Sequence, residues 1–323
     1  MNTSTQDPGS LHIPVMLERC LQLLAPVASR PGAVVVDATL GMGGHAEALL
    51  STHPELRVIG LDRDAAALSL AGERLSRFKD RLVQVHTVYD GITDAVASAG
   101  VERIDGVLFD LGVSSLQLDD ADRGFAYAQD APLDMRMDQT SGQTAADLLA
   151  EASEGRLRAL FERYGEEPLA GRYARAIVAA RQAAPITRSG QLVDILQQAT
   201  PARVKDQRHP AKRVFQALRV EVNHELAALE AALPAALELL TPGGRAVVMS
   251  YQSLEDRFVK RQFVACTTST APAGLPVELP EHRPEFKLLT RGAERASEAE
   301  RAANSRAIPV RLRAVERVRE VSK

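Results

Sequence analysis

The chain has 323 residues, 45% of them hydrophobic, which is enough for one large domain or two moderate ones with real cores. A formal net charge of −3 excludes a globally basic nucleic-acid binder, and two cysteines, Cys20 and Cys266, exclude a disulfide framework or a zinc ribbon. No window nears the ~18 apolar residues of a membrane span, no basic-then-apolar leader opens the chain, and a reducing cytoplasm fits best.

In chain order, Leu11 to Leu24 reads as a short amphipathic helix preceded by "HIP". Ala33 to Asp37 is an apolar run of strand length, followed by the glycine cluster "GMGG" and a helix opening at Ala46. "RVIGLDRD" (Arg57 to Asp64) is a second strand ending in acid, and "AAALSLAGERLSRF" the next helix. "RLVQVHTVY" (Arg81 to Tyr89) and "IDGVLFDLG" (Ile104 to Gly112) are a third and a fourth strand. These strands are continuous apolar runs that alternate with helices, which is the signature of a parallel sheet covered on both faces.

From Gln139 to Lys212 the pattern turns helical, with no competing strand. A long helix then spans Arg213 to Leu240, and "PGGRAVVMSYQ" brings the sheet back. The last strand candidates, Phe286 to Thr290 and "IPVRLRAVERV", suit an antiparallel pair at the sheet edge, where Pro309 is tolerable. The fold expected is α/β: a Rossmann-like sheet over residues 1–138 and 213–323, interrupted by an all-helical insert over 139–212.

The glycine turn raises a ligand question. Gly41, Gly43, Gly44 and Ala46 satisfy a relaxed G-x-G-x-x-A pattern after the first strand. Such a turn lets a ligand approach the backbone, and the next helix offers unpaired N–H groups. Asp62 ends the second strand, where a carboxylate accepts both hydroxyls of an adenosine ribose. Asp64 is the better placed helix cap. Two strand ends thus point to an adenosine-containing cofactor, and both NAD and S-adenosylmethionine fit them. The fourth strand end separates the two. "FDLGVSSLQLDDADRGF" puts Asp110 and a small polar loop at the carboxyl edge, the kind of acceptor that methylation of an exocyclic amine needs. Hydride transfer instead wants His, Lys or Tyr near the carbinol, and this loop has none.

Several blocks, "HIPVMLERC", "VDATLGMGGHAEALL", "GLDRD", "DGVLFDLGVSSLQLDDADRGFAY", "APLDMRMD", "RVFQALRVEVNHEL" and "GGRAVVMSYQSLEDRFVK", run nearly end to end. With them the chain resembles the bacterial ribosomal RNA small subunit methyltransferase H family, which methylates N4 of a cytidine in 16S ribosomal RNA. The resemblance implies a class I methyltransferase sheet with an inserted helical domain, and S-adenosylmethionine as cofactor. It implies that Gly43, Gly44 and His45 contact the cofactor's methionine end, that Asp62 binds the ribose, that Tyr89 lies beside the adenine, and that Asp110 and Gln117 complete the cofactor site. Tyr251-Gln252 depart from the family's usual Phe-His, and the C-terminal stretch keeps its charge in Arg311 and Arg313 but loses a serine.

Asp110 and the Ser114-Ser115 loop are the candidate acceptors for the cytosine amine. Cytosine C5 methylation needs a thiolate, and neither Cys20 nor Cys266 sits at a strand-end loop, so both read as packing residues. Arg203, Lys205, Arg208, Lys212 and Arg213, with Arg306, Arg311 and Arg313, are placed to track RNA phosphates. Met135 and Met137 suit either a base pocket or core filling. No metal site is expected, and the partner expected is 16S rRNA in the small subunit rather than a membrane. An apolar face on the insert would support a homodimer.

Overall fold

A computed structural model describes residues 14–202, 209–272 and 279–319. The described residues fall into two compact units, one within 1–111 and 229–323 and the other within 112–228. The second is broader than the helical stretch 139–212, because the loop after the fourth strand and the helix after the insert pack into the same core. Leu133, Met135 and Met137 share that core with Leu148, Phe161, Tyr173 and Phe215.

The first unit opens with α1 (Leu17–Ala28), β1 (Val34–Asp37), α2 (Gly44–Thr52), β2 (Arg57–Asp62), α3 (Ala65–Arg74), β3 (Leu82–His86), α4 (Ile92–Ser98) and β4 (Ile104–Asp110). The helix α1 starts later than the amphipathic pattern suggests. Met16 adopts a left-handed φ of 50°, so the helix cannot extend back through it. The second unit carries α5 (Ser115–Asp119), α6 (Ala145–Glu151), α7 (Glu154–Gly165), α8 (Ala170–Ala183), α9 (Ser189–Ala199) and α10 (Ala211–Val222). After α11 (Glu225–Leu239) come β5 (Leu240–Ser250), α12 (Ser253–Thr267), β6 (Phe286–Leu288), α13 (Glu298–Ala303) and β7 (Arg311–Arg317).

The sheet order is β3-β2-β1-β4-β5-β7-β6. The strands β1 to β5 run parallel, and β7 is antiparallel to both β5 and β6. This is the Rossmann-like α/β sheet that the sequence leads one to expect. The antiparallel pairing of the last two strands is as expected, but β7 lies inside the sheet, and of the two it is β6 that stands at an edge. Pro309 precedes β7 and costs the ladder nothing. One face of the sheet buries Val35, Val58 and Leu108 against Leu24, Leu49 and Leu75. The other buries Val36, Ile59 and Phe109 against Ile92, Leu233 and Phe263.

The long helix expected from Arg213 to Leu240 is two helices. His224 breaks it with a left-handed φ of 52°. Asn223, which closes α10, is buried. Its amide donates to the Met135 carbonyl at 2.7 Å and accepts from the Met137 N–H at 2.7 Å. A periodicity argument sees only that both segments are amphipathic; it does not see a capping amide spent on another loop. Beside it, Arg219 grips both oxygens of Glu225 at 2.8 Å. Asn223 is therefore a buried clamp. Asn223→Ala should lower stability by about 2–3 kcal/mol, because buried backbone groups lose their partner. Urea unfolding is the check, with the slope unchanged.

Candidate active site

The register of the sheet brings three carboxylates to one edge. Asp37 of β1 pairs with Gly60 of β2 and with Leu108 of β4. Asp62 and Asp110 each lie two residues further along their strands. Side chains alternate with period two, so Asp37, Asp62 and Asp110 share one face at the carboxyl ends of adjacent strands. In open α/β sheets this is where ligands bind.

The turn after β1 is built around Asp62. Its Oδ2 accepts the Gly41 N–H at 2.7 Å, and its Oδ1 accepts the Asp64 N–H at 2.9 Å. Asp64 caps α3 by accepting from Ala66 at 3.1 Å, which leaves Asp62 out of the helix cap. The glycines differ in what they serve. A Cβ on Gly41 would meet only the Thr39 carbonyl at 3.9 Å, so the backbone there is bare and open, and its φ of +52° favours glycine. A Cβ on Gly43 would lie 2.7 Å from Leu75 Cδ1, and one on Gly44 would lie 2.5 Å from Pro14 Cγ. Gly43 and Gly44 thus let Leu75 and Pro14 close over the helix start. The glycine pattern flags all three alike, because spacing alone does not say what approaches.

Burial raises Asp62 above the usual carboxylate range, against the hydrogen bonds from Asp64 and Gly41. It lifts Asp37 from 3.8 to about 7, opposed by the Thr39 N–H and reinforced by Asp110 and Asp62. A carboxyl raised in the folded state stabilises fully below its unfolded value, and that contribution is lost as pH rises through the folded one. Stability should therefore fall between pH 4 and about 7 as Asp37 is forced to ionise. Asp37→Asn should flatten this part of a stability-versus-pH curve; an unchanged slope would assign it to another group.

Asp110 is hydrogen-bonded to Thr39 and to Tyr251 and lies close to His45. Its N–H donates to Thr39 Oγ1 at 2.7 Å, the Tyr251 hydroxyl donates to its Oδ1 at 2.7 Å, and His45 Nδ1 lies 3.9 Å from its Oδ2. His45 is buried, with Nε2 3.2 Å from the Val15 carbonyl, which can only accept; Nε2 therefore carries a hydrogen. Thr39 and Tyr251 escape a reading by motif. The signal for Tyr251 was its position, immediately past β5 and next to a capping segment. Tyr89 lies in the turn after β3, its ring edge-on to Phe109 at 5.9 Å.

In the second unit, Ser114 and Gln117 form a capping box on α5: Ser114 Oγ accepts the Gln117 N–H at 3.3 Å, and Gln117 Oε1 accepts the Ser114 N–H at 3.0 Å. Ser115 opens that helix, and its side chain lies outside the described residues. Met135 and Met137 are core filling, buried at 0% and 6% exposure.

The cationic candidates separate as follows. Arg203, Lys205 and Arg208 lie outside the described residues. Lys212 is exposed, and Arg213 donates to the Glu166 carbonyl. Arg306 sits half-buried in the turn Ser305–Ala307. Arg313 is largely buried and binds Asp256 Oδ1 at 2.7 Å, with Arg311 on Oδ2 at 2.9 Å. Arg313 thus has a structural partner inside the sheet unit, while Arg311 keeps exposed surface.

Cys20 packs in the core with its sulfur 3.7 Å from Met249 Sδ, and burial, then the charge of Asp110, holds its thiol well above the ordinary range. Burial raises Cys266 to about 11. Neither is a thiolate nucleophile at neutral pH. Among the described residues no cluster of His, Cys, Asp and Glu is arranged to hold a metal, and no helix is long and apolar enough to cross a membrane.

The profile of the MraW methylase family matches residues 9–318. A protein of Leifsonia xyli named Ribosomal RNA small subunit methyltransferase H is 65% identical over 311 residues, covering 96% of each chain. A protein of that name from Clavibacter michiganensis is 64% identical, over 96% of this chain and 97% of its own. One from Saccharopolyspora erythraea is 61% identical, over 98% of this chain and 97% of its own. With a bare glycine turn and an acidic strand edge inside a match of that extent, the chain belongs to the MraW methylase family.

Proposed function

We propose that this methylase transfers the methyl group of S-adenosylmethionine to the exocyclic N4 amine of one cytidine in the 16S rRNA of the small ribosomal subunit. The rRNA part of the reading follows the name its relatives carry. The observation that carries the cofactor is the acidic edge: Asp37, Asp62 and Asp110 at neighbouring strand ends beside the open backbone at Gly41. That set suits a ligand of net positive charge that also carries ribose hydroxyls. A dinucleotide would bring an anionic pyrophosphate to the same carboxylates, which disfavours NAD.

When bound, S-adenosylmethionine supplies an electrophilic methyl carbon on a sulfonium. Asp62 would accept the ribose hydroxyls with the lone pairs its backbone donors leave, and Tyr89 would line the adenine side. The bare backbone at Gly41 admits the ligand, with Gly43, Gly44 and His45 at the helix start beyond it. Gln117 belongs to the same proposed set.

The cytosine amine is a poor nucleophile, because its lone pair is delocalised into the ring. Asp110 accepts an amine N–H, favours pyramidal nitrogen and takes the proton that must leave. A carboxylate pressed on the sulfonium would stabilise the ground state more than the transition state, so Asp110 acts toward the amine. Ser114 and Ser115 are the further acceptors in this reading. The absence of an accessible thiolate among the described cysteines favours nitrogen over ring carbon. The cytidine must be single-stranded or flipped out to be reached, with Lys212, Arg213, Arg306 and Arg311 among the groups offered to phosphate. The helical stretch 139–212 is read as a domain inserted into the sheet unit.

Mass spectrometry of 16S rRNA from cells with and without this protein tests the reading. Loss of N4-methylcytidine at one position on deletion supports it, and unchanged modification defeats it. Calorimetry with S-adenosylhomocysteine and with NAD separates the cofactors.

A further inference from the structure

Tyr251 stands directly after β5. Met249 pairs with Asp110 in the β4–β5 ladder, so Tyr251, two residues on, falls on the same face as Asp110. Its backbone is pinned by the start of the next helix: Glu255 Oε2 accepts the N–H of Tyr251 at 2.9 Å and that of Gln252 at 3.0 Å. Its ring packs against the core of the sheet's α1–α2 side. The hydroxyl is therefore delivered to Asp110 Oδ1 by a rigid frame, at 2.7 Å. Burial, and then the charge of Asp110, raise the phenol well above its ordinary range, so it is a donor at neutral pH.

We propose that Tyr251 is a positioning residue for Asp110, its hydroxyl fixing the orientation in which the carboxylate meets the target amine. This rests on the reading of Asp110 as the amine's acceptor. A carboxylate with one hydrogen bond fewer can rotate about its Cβ–Cγ bond, and a small misalignment at the reacting atoms is costly. The same bond favours the ionised form of Asp110. Titratable groups facing Asp110 include His45 of α2, Asp37 of β1 and Cys20 of α1.

The test is Y251F, which keeps the ring and removes only the hydroxyl. Methyl transfer by the purified full chain is measured on small-subunit RNA with S-adenosylmethionine. The kcat should fall about tenfold, the KM for S-adenosylmethionine should stay within about twofold, and the acidic limb of the kcat–pH profile should move to higher pH. In a D110N background Y251F should change the residual single-turnover rate less than about twofold, because a residue acting through Asp110 has nothing left to position. An equal loss in both backgrounds, or no loss in either, overturns the proposal. If Y251F does not fold, 3,5-difluorotyrosine at position 251 keeps the ring and makes the hydroxyl a stronger donor. The acidic limb should then move to lower pH, and an unmoved limb overturns the proposal. A wild-type protein that methylates no cytidine amine removes the underlying reading, and is told apart by that control.

Discussion

Asp110→Asn should lower the rate of methyl transfer by about 10²–10⁴-fold while S-adenosylhomocysteine binding stays within a few-fold. The amide is nearly isosteric, so the frame around it persists: the Asp110 N–H still reaches Thr39, and the Tyr251 hydroxyl still finds a carbonyl oxygen. What is lost is a charged acceptor for the amine N–H and a base for its proton. A neutral amide can accept a hydrogen bond but takes no proton at neutral pH. The loss should therefore appear in kcat, with little change in the KM for either substrate. Single-turnover transfer with calorimetry on the same protein separates the two quantities. A variant that loses cofactor affinity and rate together would make Asp110 a cofactor ligand and not the group serving the amine.

Asp256→Ala should destabilise the fold by about 3–5 kcal/mol, the cost of stranding a buried charge. Asp256 lies in the first turn of α12 with its side chain 5% exposed, and it receives Arg313 through two nitrogens and Arg311 through one. These arginines sit on β7, paired with Val248 and Ser250 of β5, so the cluster ties helix to strand next to the site. Arg313, at 13% side-chain exposure, bears most of the cost; Arg311, at 43%, can turn to water and contributes little. Burial would raise the Asp256 carboxyl, but its bonds to Arg313 and Arg311 outweigh this and hold it below the usual range. A depressed carboxylate contributes stability above its unfolded value and loses it as pH falls through the folded one. The wild type should therefore show an acid-side loss below about pH 4 that Asp256→Ala lacks. Urea titrations at several pH values read both effects. A variant as stable as wild type would return Arg313 to the pool of phosphate-binding cations.

The alternation of apolar runs with helical segments was enough to read the parallel sheet, because its central strands are largely buried on both faces and leave few polar positions to obscure the pattern. Asp62 and Asp110 were legible for the same reason: each is the first charged residue after a buried run, which places it at a strand's carboxyl end. What spacing hides is the partner. Gly43 and Gly44 look like ligand-facing glycines, yet Leu75 and Pro14 occupy the space a Cβ would need. Arg313 looks like a free cation in a basic tail, yet it faces a buried aspartate 57 positions earlier. The Tyr251–Asp110 bond joins residues 141 apart and belongs to no local motif. The break between α10 and α11 is set by the Asn223 amide answering the Met135–Met137 backbone, a long-range bond that amphipathic periodicity does not encode.

The most direct measurement is transfer of a deuterated methyl group. Purified protein is incubated with methyl-deuterated S-adenosylmethionine and small-subunit RNA from cells lacking this protein, and the digested nucleosides are separated by mass. Label on N4 of cytidine at a single position, abolished by Asp110→Asn, is the result expected here. Label on ring carbon, on another nucleoside, or undiminished in the Asp110→Asn protein would contradict it.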